Sequence, residues 1–412
     1  MIPAHTLPPR TSAGFSPHAR LLACLSMICL FFAIGCSPAS APPSGSELQN
    51  DVQAISLPSA IAAADSFLER EPIPITREIS PRSAGGPRDF YSEGDYWWPD
   101  PNSPEGPYVR RDGETNPDNF VAHRRAMVDL SKAVAALVAA YEETGDERYA
   151  DHAMEYLRTW FVDPETSMTP HLLYAQAIKG RVTGRGIGII DTIHLIEVAK
   201  AVAVLRQKGY LQGGDQSAVV GWFEDYLNWM VTHPYGHDER DHGNNHSTWY
   251  AAQVAAFASL TGNQAQLDST RTLFKRMIDR QMNDEGGFTD ELGRTKPYIY
   301  SLFILEGYSV LAEYASTPKD DLWTYEGTHG SLRDGWAFML PYIKDKSAWP
   351  YPPDVMHFDE VPIQSVGLLL AARAYDDPQM LQLWEDLDPT QRSAEIARNF
   401  PLRQPILWGE PG

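Results

Sequence analysis

The chain has 412 residues, with 54 acidic against 34 basic side chains and a formal charge of −20. That balance argues against nucleic acid as a partner and against a basic protein that lies on a membrane surface. The only cysteines are Cys24, Cys29 and Cys36, so everything after Ser37 must do without a disulfide, a thiol nucleophile or cysteine-ligated zinc.

In chain order, Arg10, His18 and Arg20 precede an apolar run from Leu21 to Ile34. The run is too short to span a bilayer comfortably and has the layout of a secretory signal. It ends Ala33-Ile34-Gly35-Cys36, which resembles the bacterial lipobox, whose cysteine is lipidated and becomes the new N-terminus. An ordinary signal peptide cut nearby is the alternative. Residues 1–35 therefore read as a signal peptide and Cys36 as the site of a membrane-anchoring lipid. Residues 36–55, rich in Ser, Pro and Ala at their start, read as a flexible tether. Ser37 favours the outer membrane of a Gram-negative cell, so the expected location is exported, periplasmic or outer-membrane-anchored. Residues 56–412 read as one domain.

Tyr91 to Pro101 is dense in aromatics, proline and glycine. Its Trp97 and Trp98 are candidate platforms for sugar rings, or core residues wedged under a loop. From Phe120 the apolar spacing is helical. It predicts helices over 120–141, on through Trp160, 193–205, 219–231, 248–260, 267–282, 300–314, 332–343 and 363–375. Gly145 and Gly262 stand where a helix should stop, and Asp146 and Asn263 where the next should start. There is no sustained period-two alternation and no Gly-rich nucleotide loop. Repeated helical pairs on short turns predict an all-α fold of stacked αα-hairpins, closed into a single α/α toroid with a cleft at one end.

Three stretches carry chemistry. Lys179-Gly180-Arg181-Val182-Thr183-Gly184-Arg185 is a local basic cluster, which a polyanionic substrate would need against the global charge. Just before it, Tyr174 and Gln176 are candidate cleft residues. The segment His233–Tyr250 holds four of the twelve histidines. His242 and His246 have zinc-ligand spacing, but Gly243 and two asparagines break the helix that such a pair needs. No metal and no cofactor is the favoured reading. Asp238 and Asp241 could orient the histidines or Arg240, whereas Asp95 and Asp191 read as structural. The third stretch, Glu291–Phe303, sets Arg294, Lys296, Tyr298 and Tyr300 around Pro297, which must start a new helix.

Asn, His, Arg and Tyr without an obvious carboxylate pair suit β-elimination from a uronic acid better than hydrolysis. The substrate carboxylate must be neutralised, the C5 proton removed and O4 protonated. A tyrosine can do the proton work if nearby positive charge lowers its pKa from about 10. Two rivals remain: a glycan-binding lipoprotein without catalysis, and an α/α-toroid hydrolase of uronides, which needs acidic residues facing each other.

Asn244-Asn245-His246-Ser247-Thr248-Trp249-Tyr250 resembles the Asn-Asn-His signature of the alginate lyase superfamily of α/α-toroid polysaccharide lyases. Arg294 followed by Tyr300-Ser301 is similar to that family's Arg and Tyr-Ser motif, and the likeness reaches back to Gly94–Pro101 and Thr183–Gly188. The resemblance implies a carbon-oxygen lyase acting on alginate, polymannuronate or glucuronan. Asn245 and His246 would neutralise the carboxylate. Tyr300 would be the acid and also the base, and Arg294 would stabilise the tyrosinate. Lys296, Tyr298, Arg185, Tyr174, Gln176, Trp97, Trp98 and Trp249 are the expected substrate contacts. Ile299 replaces the histidine that often precedes the tyrosine in classical alginate lyases, which points toward broader uronan lyases. No β-sandwich domain is expected after the helices.

Overall fold

The structure, a computed structural model, describes residues 45–409, with side chains from Val52 onward. The signal segment, Cys36 and the start of the tether lie outside the described residues. The end of the tether segment differs from expectation. Helix α1, Gly45–Leu68, begins inside it. Val52, Ala60, Ala64 and Phe67 recur on one face of that helix and are buried, which is why residues 45–55 are held as helix.

The helices that follow are α2 (Ala122–Thr144), α3 (Glu147–Phe161), α4 (Leu195–Gln207), α5 (Gly213–Thr232), α6 (Pro234–Arg240), α7 (Asn245–Thr261) and α8 (Gln264–Gln281). After them come the one-turn α9 (Thr289–Leu292), then α10 (Pro297–Ala315), α11 (Leu332–Lys344), α12 (Val366–Ala374), α13 (Pro378–Asp386) and α14 (Ala394–Asn399). The predicted helices are present with shifted ends; α1, α6, α9, α13 and α14 are additional. Gly145 and Gly262 cap α2 and α7 in the left-handed conformation, at φ 69° and 73°. Asp146 and Asn263 accept the first free N–H groups of α3 and α8.

Two layers result. Helices α2, α4, α7, α10 and α12 pack side by side as an inner ring, and α1, α3, α5, α8, α11 and α13 cover them from outside. Composition follows the layers. Inner α7 and α10 are buried almost all round, whereas outer α8 buries the single stripe Thr270, Leu273, Phe274, Met277, Ile278 and Gln281. The 3₁₀ turn Pro405–Trp408 packs on α1, α2, α4 and α12 and bridges the two ends of the ring. The fold is a single α/α toroid, with no appended sheet domain among the described residues.

Short strands sit in the loops. Strand β1 (Tyr91–Glu93) and β4 (Tyr174–Ala177) pair in parallel. Strands β2 (Trp97–Trp98) and β3 (Val109–Arg110) pair antiparallel as a hairpin, with Trp97 opposite Arg110.

Candidate active site

Two adjacent inner helices begin at the site. Gly243 turns the chain into α7 at φ +99°, a conformation that strains any residue with a Cβ. Asn244 caps the helix by accepting the His246 N–H at 3.1 Å. Asn245 and His246 thus become its first two residues. The Asn245 backbone N–H and side-chain amide both donate to Glu291 of α9, at 2.7 Å each. His246 Nδ1 shares a 2.8 Å hydrogen bond with Glu239 of α6. Both glutamates are fully buried. Burial pushes both carboxyl groups up, opposed by the Asn245 N–H groups at Glu291 and by His246 at Glu239. With Nδ1 engaged by Glu239, Nε2 is the His246 nitrogen left for a ligand.

Helix α10 starts at Pro297, which has no N–H to satisfy. The Asp354 carboxylate accepts the next two, from Tyr298 and Ile299, at 2.9 Å each. Tyr300 follows, its hydroxyl 2.6 Å from that of Tyr96. Arg294 lies over the Tyr300 ring, its Cζ 4.6 Å from the centroid, and donates to the hydroxyl at 3.4 Å. Asp112 fixes this guanidinium with bonds of 2.9 and 3.2 Å. Burial would raise Asp112, but the hydrogen bond and charge of Arg294 hold it down to about 2. Tyr300 departs from expectation. Its pKa lies well above 10, because burial dominates and Tyr96 adds to it, with Arg294 the opposing charge. The positive charge is where the sequence reading required it, yet desolvation outweighs it.

Tyr300, Arg294, Asn245 and His246 line one cleft together with Tyr96, Trp97, Gln176, Arg185 and His242. Arg110, Arg398 and Asn399 line it too. Four guanidinium groups therefore face a cleft in a chain of charge −20, which answers the need for local positive potential. Arg185 bonds to the Gln176 carbonyl and side-chain oxygens at 3.0 Å each and has no carboxylate partner among the described residues. Burial, then Arg110, lowers its pKa to about 10, so it remains a cation at neutral pH. His242 is lowered to about 4 by desolvation and by His246 and Arg294, so it is neutral there. Gly94 permits this packing, since a Cβ on it would stand 2.6 Å from the Trp97 ring and 2.9 Å from Arg185.

Five of the expected substrate contacts lie outside the lining of this cleft. Trp249 is fully buried and donates to the Phe303 carbonyl at 3.1 Å. Tyr298 is fully buried, bonded to the Tyr342 carbonyl at 3.0 Å. Lys296 is fully buried and paired with Glu395 at 3.0 Å, behind Tyr96. Tyr174 and Trp98 are half-buried and lie outside the lining of the cleft. The tryptophan pair also differs in kind from a sugar platform. Arg111 covers Trp98 at 4.8 Å, and Arg181 and Arg185 lie over Trp97 at 5.1 and 5.9 Å. Sequence reasoning missed Tyr96, Arg110, Asp112, Glu239, Glu291, Arg398 and Asn399. Of these, Tyr96, Glu239 and Glu291 sit inside the stretches that had drawn notice.

Asp95 and Asp191 also line the cleft, but Arg124 holds both, at 2.6 and 3.3 Å, so they do not form the free facing pair that hydrolysis requires. The rings of His242 and His246 meet edge to face at 4.9 Å. Among the described residues no group of three His, Cys, Asp or Glu side chains is placed to hold a metal ion.

The family model for alginate lyase matches residues 75–349. The chain belongs to the alginate lyase family. Solved structures agree with this membership. An alginate lyase from Bacteroides ovatus is 29% identical, with a TM-score of 0.74 over 86% of this chain and 96% of that one. Alginate lyase A1-III from Sphingomonas species A1 shares the fold at 15% identity and a TM-score of 0.51, over 87% and 99% of the chains. A variant of alginate lyase A1-III complexed with tetrasaccharide does so at 14% and 0.55, over 89% and 95%. No curated protein matches the chain. Family and fold are those of a polysaccharide lyase.

Proposed function

We propose that this protein cleaves a uronic-acid polymer, polymannuronate or glucuronan in first place, by β-elimination on Tyr300. The observation that carries the reading is the meeting of the Tyr300 hydroxyl, Arg294 and the Asn245-His246 start of α7 in one cationic cleft. That solved relatives bear the name alginate lyase, one of them holding a tetrasaccharide, supports an acidic polysaccharide as substrate.

In this reading the carboxylate of the attacked sugar lies against Asn245, His246 Nε2 and Arg185. Neutralising it acidifies H5 and stabilises the aci-carboxylate dianion that forms when H5 leaves. Tyr300 enters as tyrosinate, its charge held by Arg294 and by a hydrogen bond donated from Tyr96. It takes the C5 proton, the C4–O4 bond breaks, and the same phenol returns the proton to O4. One tyrosine suffices because H5 and O4 share a face in mannuronate and glucuronate. In guluronate they lie on opposite faces; His246 Nε2 then takes the proton and Tyr300 supplies the acid.

The test is incubation with polymannuronate, glucuronan and polyguluronate while following the ultraviolet absorbance of the conjugated C4=C5 double bond. Rising absorbance with the first two supports the reading. Binding or new reducing ends without absorbance would overturn it in favour of a glycan-binding protein or a hydrolase. The motif ending at Cys36 supports export and attachment to the outer membrane through a lipid on that residue.

A further inference from the structure

The basic cluster at 179–185 is only partly used by the cleft, and its exposed residues are tied to a neighbouring element. The β2–β3 hairpin lies on it. Tyr108 donates its N–H to the Lys179 carbonyl at 3.1 Å, Arg181 Nε donates to the Tyr108 carbonyl at 2.7 Å, and Gly180 packs against Pro107. Each cation of the turn is seated on a ring of the hairpin. The Arg181 guanidinium lies over Trp97 at 5.1 Å and the Lys179 ammonium over Tyr108 at 5.6 Å. Trp97 itself lines the cleft beside Arg185 and Arg110, and Arg181 is exposed with no carboxylate partner among the described residues. Among the described residues the one carboxylate paired with Lys179 is the exposed Glu105, at 3.4 Å. Positive charge thus continues from inside the cleft, across Trp97, to the outer edge of the hairpin.

A guanidinium seated over an indole and anchored through Nε keeps its terminal N–H groups for an anion and loses little further freedom on binding one. We propose that Arg181 and Lys179 form an anion track outside the cleft, which holds carboxylates of the polyuronate beyond the sugars being cleaved. The track rests on the lyase reading for the identity of its ligand. It gives the hairpin tryptophan a different task from the sugar platform expected of it, namely to seat a cation.

The test measures KM for unsaturation of polymannuronate oligomers from trisaccharide to polymer, in the unmodified protein and in K179A/R181A. With a track, KM of the unmodified protein falls as the oligomer lengthens. In the double variant that fall is lost, KM for the polymer rises about tenfold, and its dependence on salt weakens. Arg181→Lys, which keeps the charge but not the flat fork, recovers only part of the difference. The same length dependence in the unmodified protein and the double variant overturns the track. Binding of polymannuronate to Tyr300→Phe, with and without the two substitutions, separates the two ideas. Unmodified protein that yields no double bond while Tyr300→Phe binds polymer through Arg181 sinks the lyase reading and keeps the track. Cleavage with track-independent binding does the reverse.

Discussion

The hydroxyl groups of Tyr96 and Tyr300 meet at 2.6 Å, joining the β2–β3 hairpin to the first turn of α10. Two phenols at that distance share one hydrogen bond, and the bond strengthens when one of them ionises. Tyr300→Phe is expected to lower kcat on polymannuronate and glucuronan by at least about 10³-fold with the melting temperature nearly unchanged. Substantial remaining activity would remove Tyr300 from the proton steps. Tyr96→Phe should cost roughly tenfold in kcat while KM moves little, because only a stabiliser of the tyrosinate is lost.

The direction of the Tyr300 shift fixes a pH dependence. Burial and Tyr96 keep it protonated well above its ordinary value in the free enzyme. If the reacting form is the tyrosinate, kcat/KM should climb about tenfold per pH unit through the neutral range, without a plateau below pH 10. A flat profile on polymannuronate would mean that another group takes the proton. Arg294 is the charge that lowers Tyr300. Arg294→Ala should therefore displace the profile to higher pH and cost about 10²-fold at pH 8.

His246 separates the two stereochemical routes. On polyguluronate, where it is proposed as the base, His246→Ala should lower kcat by about 10³-fold. On polymannuronate the loss should be smaller and fall largely on KM, since there the ring only binds the carboxylate. Equal losses in kcat on both polymers would contradict the division of roles. Glu239→Gln keeps the hydrogen-bonding shape behind Nδ1 but removes the charge, and a loss of about tenfold on either polymer is expected.

Asp112 carries a stability term with a definite sign. Its folded pKa, held down to about 2 by Arg294, lies below the unfolded value. The contribution is fully present above roughly pH 4 and is lost as pH falls through about 2. The side chain is 25% exposed, and the shift corresponds to roughly 2 kcal/mol. Asp112→Asn should lower the urea midpoint at pH 7 and make little difference at pH 2. A uniform effect at both pH values would show that the carboxylate charge is not what counts.

The proposed anchor is checked in cells. Cys36→Ala should move the protein from the membrane fraction to the soluble fraction and abolish incorporation of labelled fatty acid. Labelled protein from the variant would place the lipid elsewhere.

Much of the cleft could be read in the sequence because its chemistry is concentrated at two helix starts. Asn245-His246 follows a glycine and a capping asparagine, and Tyr300 follows a proline, so both groups announce where a helix begins. Which neighbours face inward was harder to see. Successive helical residues are turned by about 100°, so Tyr298 points roughly opposite to Tyr300. Helix α10 is apolar all round, and nothing in its pattern tells the core side from the cleft side. Trp249 stands almost in line with His246 but nearly one turn deeper in the ring, where it meets Phe303. Glu239 and Glu291 read as ordinary acidic residues, because their burial comes from the packing of α6 against α7 and of α9 against α10. Tyr96 lies 204 positions before its partner Tyr300, a separation that no local pattern bridges.

The bridge made by Pro405–Trp408 has a temporal meaning. Arg398 and Asn399 are walls of the cleft, where Arg398 pairs with Asp95 from the other end of the chain, and that late turn packs on helices at both ends of the ring. During synthesis, therefore, a nascent chain has no finished cleft until Arg398 and Asn399 are free of the ribosome. Residues that far apart in the chain, from Asp95 to Asn399, must all be made before the cleft can act.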